Sequence, residues 1–186
     1  MKKGWLIAGL ALGVGYLLLA GPVGRVSDWF AFTMGVKRYW QFIHVAEAGA
    51  LALGAPVLVW LLWRARERLD VLFPPLTGLV WATTAFNVWL MTSAVEPIHY
   101  PQYAILGYVL RLGAGRDLPA ALLGFLFGAL DEYAQGFSDR RTDLADVEFN
   151  FIAVLWGVWL GHLLRAGSGN PRIDLSGGEV RAAIPR

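Results

Sequence analysis

Three pairs of polar residues in the second half of the chain share one spacing: His99 with Tyr103, Asp131 with Gln135, and Asp146 with Asn150 each stand four residues apart. On a helix that spacing places both members on one face. The residue types suit acid–base and cation chemistry. An imidazole exchanges a proton near neutral pH, which makes His99 the candidate general acid or base, with Glu96 or Tyr103 able to orient its ring. Asp131, Glu132 and Asp146 are hard oxygen donors of the kind that hold Mg²⁺, Mn²⁺ or Ca²⁺. Arg140 offers a planar fork for phosphate oxygens. Pro97 and Pro101 bracket His99 and remove backbone donors, so an irregular helix start is expected there, with carbonyls open to a ligand. Simpler roles stand beside these. Asp146 is also a natural N-cap for the helix that follows, and Arg140 can pair with Asp139, Asp143 or a lipid phosphate. No side chain presents itself as a covalent nucleophile.

The elements that must position these residues are apolar. The chain has 186 residues, of which 56% are hydrophobic and 16% charged, and its mean hydropathy is +0.50. A soluble domain carries about 45–50% apolar and about 25% charged residues, so the lipid bilayer is the expected solvent and a large soluble enzyme domain is excluded. Without cysteine there are no disulfides, thiolate metal sites, iron–sulfur clusters or thiol nucleophiles. The basic residues are scattered between apolar blocks, which argues against a nucleic-acid partner.

Uncharged runs predict the spans: Gly4 to Gly24, about Tyr39 to Trp63, about Pro75 to Val95, and three shorter ones. Fourteen residues separate Glu96 from Arg111, thirteen separate Asp117 from Asp131, and sixteen separate Glu148 from Arg165. Blocks this short cross only if polar residues at one end belong to the helix, which draws His99, Asp131, Glu132, Gln135 and Asn150 toward the membrane edge. The expected fold is all-α, a polytopic transmembrane bundle of about six helices. Residues 1–165 form its single domain, and residues 166–186 form a poorly ordered cytoplasmic tail of turn composition. With both termini cytoplasmic, eleven of the sixteen Lys and Arg residues fall inside, as the positive-inside bias requires. A re-entrant segment from Tyr100 to Gly113 would invert the last two helices and make the counts nearly even. On the six-span topology the polar set gathers on the extracytoplasmic side of the plasma membrane, with His44 and Glu47 near it and His162 at the inner end.

The pattern Glu96-x-x-His99-x-x-x-Tyr103, followed by Asp131-Glu132-x-x-Gln135, Arg140, Asp146 and Asn150, resembles that of the VanZ-like membrane proteins, over roughly residues 90–165. Two positions depart from it: Ser138-Asp139 precedes Arg140 where the family commonly has Pro-Gly, and Ala153 stands where it commonly has Gly. The resemblance implies a helical integral membrane protein of the bacterial cell envelope. The family is named for a member associated with teicoplanin resistance and has been grouped with proteins that handle lipid head groups.

Three functions compete. The first is an enzyme acting at the outer leaflet on a lipid-linked phosphate or head group, with His99, Glu96, Asp131 and Glu132 catalytic. Tyr103, Gln135, Arg140, Asp146 and Asn150 would bind, and Asp131, Glu132 and Asp146 would hold a divalent cation. The second is a non-catalytic accessory protein that binds a glycopeptide or a lipid-linked wall precursor, linking it to glycopeptide resistance. Ion or proton transport ranks third, because the carboxylates collect at one end. A b-type haem on His44 and His99 fits the acidic surroundings less well than a hard cation.

Overall fold

Glycine at a positive φ ends a helix without the steric cost that a Cβ would bring, and it does so here at Gly35 (φ 79°) and Gly115 (φ 74°). The computed structural model describes residues 3–71, 73–90, 96–136 and 144–167. Among them are six α-helices and no strand: α1 Lys3–Met34, α2 Val36–Ala65, α3 Phe73–Leu90, α4 Glu96–Ala114, α5 Asp117–Gln135 and α6 Leu144–Gly167. A 3₁₀ turn at Arg66–Arg68 follows α2. The tail expected from residue 166 onward lies outside the described residues from position 168.

Helix α1 runs ten residues past the expected end of the first span and carries Pro22, Arg25 and Asp28 within it. At 32 residues it is roughly 48 Å long, more than the ~30 Å of a hydrocarbon core. The expected hydrophilic loop is reduced to Gly35, whose carbonyl receives the amides of Arg38 and Tyr39, each at 3.0 Å. Helix α4 is continuous over 19 residues, with Pro101 inside it, so the segment from Tyr100 to Gly113 belongs to one helix.

Helix α4 is the centre of the bundle. Tyr103, Leu106 and Leu110 repeat at helical spacing and are fully buried, packed with Ala120 of α5 and with Ala153, Val154 and Val158 of α6. Its most extensive contact is with α6, and α1 and α5 flank it. Small residues permit that closeness. A Cβ added at Gly157 would overlap the carbonyl oxygen of Ala104, and one at Gly107 would overlap that of Val154. Helices α2 and α3 lie outside this core: α2 meets α6 through Leu61, Ala65 and Leu163, and α3 is tied to α6 by Trp156 Nε1 donating to Thr84 Oγ1 at 2.6 Å.

The surface is apolar to an extent a water-soluble fold rarely tolerates. Phe42, Val45, Leu53 and Trp63 of α2 are each at least 59% exposed. Among the described residues two segments, Val36–Arg68 and Ala145–Ala166, are long and apolar enough to cross a membrane.

The crossing of α4 and α6 gives a direct test. Gly157→Ala is expected to cost about 1–3 kcal/mol by overpacking. Gly49→Ala, which meets nothing within 4 Å, should be neutral or stabilising by roughly 0.5–1 kcal/mol. Thermal unfolding in detergent, followed by circular dichroism, compares them. Equal effects at the two positions would mean that α4 and α6 do not approach to backbone contact.

Candidate functional site

Antiparallel packing of α5 against α4 and α6 brings the C-terminal end of α5 beside the N-terminal ends of the other two. Six of the candidate site residues meet there, each of them buried: His99 and Tyr103 from α4, Asp131, Glu132 and Gln135 from α5, and Asn150 from α6. The adjacent residues Asp131 and Glu132 point about 100° apart around α5. Both are nevertheless 1–2% exposed, because α5 is enclosed on two sides there.

Hydrogen bonds join the six. Tyr103 Oη donates to Asp131 Oδ2 at 2.8 Å. Asn150 Nδ2 donates to Glu132 Oε1 at 3.3 Å and faces the Gly128 carbonyl at 3.5 Å. Gln135 Nε2 donates to the same Glu132 oxygen at 3.4 Å. Asn150 Oδ1 lies 2.8 Å from His99 Nδ1. This inventory sets the tautomer of the histidine. The Asn150 amide nitrogen faces acceptors only, so its oxygen must face His99, and Nδ1 must carry a hydrogen. In the neutral ring the lone pair then resides on Nε2, the arrangement of an oriented base or ligand.

The asparagine therefore does what the sequence assigned to Glu96 or Tyr103. Tyr103 is committed to Asp131, with its ring 6.0 Å from that of His99, and the Glu96 side chain lies outside the described residues. So does Arg140. Asp146 stands half-buried in the first turn of α6, one turn before Asn150. His44 and Glu47 pair with each other on α2 at 3.3 Å, and His44 stacks on Trp40.

A cation would meet a suitable donor set. Ligand atoms of His99, Asp131 and Glu132 all lie within 4.8 Å of one another. The grouping includes His99 in addition to the two α5 carboxylates that the sequence assigned to metal. Buried carboxylates at the negative end of a helix favour a positive partner, whether a proton, a guanidinium or a metal ion.

A second polar cluster went unread in the sequence. Asp117, at the start of α5, accepts from Arg111 Nε of α4 through Oδ1 and contacts His162 Nδ1 of α6 at 2.7 Å through Oδ2. In the sequence Arg111 and Asp117 mark only the ends of uncharged blocks. Their place four residues after Gly107 and four before Ala121, on the packed faces of α4 and α5, is the signal that would have revealed them.

Compared with protein-family models, with curated proteins and with solved structures, the chain matches none.

The hydroxyl of Tyr103 isolates one bond of the network. Tyr103→Phe is expected to cost about 1.5–3 kcal/mol, the range for a hydrogen bond to a charged group. Combined with Asp131→Asn it should show a coupling of at least about 0.5 kcal/mol in a double-mutant cycle of unfolding free energies. Strict additivity would mean that the two side chains do not meet.

Proposed function

We propose that the chain is a polytopic membrane protein of the cell envelope, similar to the VanZ-like proteins, whose polar network acts as an enzyme on a lipid-linked phosphate or lipid head group. The observation that carries this reading is the convergence of His99, Tyr103, Asp131, Glu132, Gln135 and Asn150, from three helices, in one buried hydrogen-bonded cluster. Polar networks inside an apolar bundle are costly and mark binding or proton-handling sites. Six spans with both termini cytoplasmic place it toward the extracytoplasmic leaflet.

In this reading His99 moves the proton through Nε2, held in orientation by Asn150. Asp131 and Glu132, together with Asp146 of α6, would hold a divalent cation, which would supply charge neutralisation for phosphate oxygens. Tyr103 and Gln135 fix the two carboxylates. Arg140, in the connection between α5 and α6, takes the outer phosphate oxygens in its fork. The depth of the cluster supports a second reading: at 7% exposure or less for His99, Asp131 and Glu132, a non-catalytic protein that binds a lipid-linked precursor or a glycopeptide uses the same residues for recognition alone.

Lipids and wall precursors copurifying in mild detergent, identified by mass spectrometry before and after incubation with Mg²⁺, Mn²⁺ or Ca²⁺, separate the readings. A cation-dependent change in head group identifies the enzyme; retention without conversion identifies the binder. Asp131→Asn and Asp146→Asn should each abolish most of the conversion and add little to one another, as groups acting as a unit do. Additive losses without cation dependence would reduce Asp146 to a helix cap. Reporter fusions at Gly113 and Arg186 should read as cytoplasmic and one near Asp139 as external; an external Gly113 would overturn the six-span arrangement.

A further inference from the structure

Helices α2 and α4 both pack on α6, and an apolar groove of about 330 Å³ runs between them. It is lined by Val57 and Leu61 of α2, Ala104 and Ile105 of α4, and Gly157 and Leu160 of α6. From Gly54 to Leu61 it extends roughly 10 Å along the helices. One end is closed: the Trp81 indole of α3 lies against Gly54, where an added Cβ would stand 3.1 Å from it, and meets Trp156 edge to face with centroids 5.4 Å apart. The long side is open, since Val57 and Ile105 on its rims are each 53% exposed.

Helix α2 is held at both ends of the groove, by Leu61 and Ala65 packed with Leu163 and Phe73 and by Gly54 against Trp81. The walls therefore cannot close without breaking one of these contacts. Water does not fill an apolar space of this kind, and an empty one forfeits dispersion contacts along its whole lining. Hydrocarbon is the filler that a bilayer supplies. At roughly 30 Å³ for each methylene, about the volume of a water molecule in the liquid, the groove holds one chain segment of about ten carbons.

A charged group marks where such a chain would carry its head. Arg64 stands one turn beyond Leu61, on the side of α2 that carries Val57 seven residues earlier. It is exposed, its guanidinium lies over the Trp60 ring at 5.3 Å, and it makes no ion pair among the described residues. Stacking uses the face of a guanidinium and leaves the N–H groups of its edge for oxygen acceptors. The neighbouring cations are engaged: Arg66 donates to the Trp63 carbonyl and pairs with Glu67 at 3.6 Å, and Arg68 donates to the Ala166 carbonyl at 2.6 Å. Three arginines against one glutamate over residues 64–68 outweigh the negative end of the helix dipole, so an anion is favoured there.

From these placements we infer that the groove binds a phospholipid, with one acyl chain along α6 and the phosphate at Arg64. The groove alone would take any chain; Arg64 at its open end selects one that carries a phosphate. A second copy of this protein fits less well, because a helix about 10 Å across is wider than a slot of this length and volume admits. The site shares no residue with the His99 network and does not depend on the function proposed for it.

The test uses the full-length protein in a neutral detergent, with binding read by native mass spectrometry. Dioleoyl phosphatidylglycerol should bind at least about tenfold more tightly than dioleoylglycerol, which has the same chains and no phosphate, a difference of about 1.4 kcal/mol. Val57→Trp with Ile105→Trp, which fill the slot from its rims, should lower affinity about tenfold. Leu53→Trp with Leu79→Trp, at exposed positions of α2 and α3 outside the groove, should leave it within about twofold. Arg64→Gln should weaken binding about tenfold, whereas Lys37→Gln, at the other end of α2, should change it by less than about twofold. Circular dichroism checks that each variant keeps its helices. The inference is overturned if dioleoylglycerol binds as tightly as phosphatidylglycerol, if the two tryptophan pairs have equal effects, or if Arg64→Gln and Lys37→Gln do. A dimer that Val57→Trp with Ile105→Trp abolishes would also overturn it, by making a second copy the occupant.

Discussion

Backbone contact between α4 and α6 is the constraint on which the rest of the structure depends. Where Gly157 lies against Ala104 and Gly107 against Val154, no side chain intervenes. Hydrogen bonds between side chains of modest length then become possible at both ends of the pair. Above the crossing, Asn150 reaches His99 at 2.8 Å; below it, Gly161 lies against the Arg111 side chain. Widening the crossing by a methyl group would strain both ends at once, since the two helices are rigid rods sharing one interface.

Helix α5 completes the arrangement by running the opposite way. Its C-terminal end carries the two carboxylates and its N-terminal end carries Asp117, so one helix supplies acidic groups to both clusters. Small residues again set the distance: a Cβ at Gly128 would stand 2.9 Å from Asn150 Cβ. Between the clusters the three helices meet through Leu106, Leu110, Ala120, Val154 and Val158, an apolar layer without a carboxylate, guanidinium or imidazole. Charge is thus confined to the two ends, the distribution an apolar solvent imposes on any group that must stay ionised.

The second half of the chain was more legible than the first. The four-residue spacing of His99 with Tyr103 and of Asp131 with Gln135 was enough to place these residues on common faces, because helical periodicity is a local property of sequence. That the faces would meet required only that buried polar groups seek one another. The length of α1 was not legible: Arg25 and Asp28 resemble loop residues in a hydropathy reading, yet nothing before Gly35 obliges the backbone to turn. The role of Asn150 as the partner of His99 was also hidden, since it depends on the register of α4 against α6 and not on spacing within either helix. The meeting of Arg111 and His162 is hidden for the same reason, since their common partner, Asp117, lies on a third helix.

The bond between Asn150 and His99 fixes how the candidate base is presented. Long-range ¹H–¹⁵N spectra of the full-length protein in detergent, labelled at the histidine ring nitrogens, report it. The His99 resonances are assigned by their loss in His99→Gln, and the spectra are recorded at a pH where the ring is neutral. The structure predicts a protonated Nδ1 and an unprotonated Nε2, and loss of that preference in Asn150→Ala. A neutral ring protonated on Nε2, or one whose tautomer is indifferent to Asn150, would contradict the network described for the three helices.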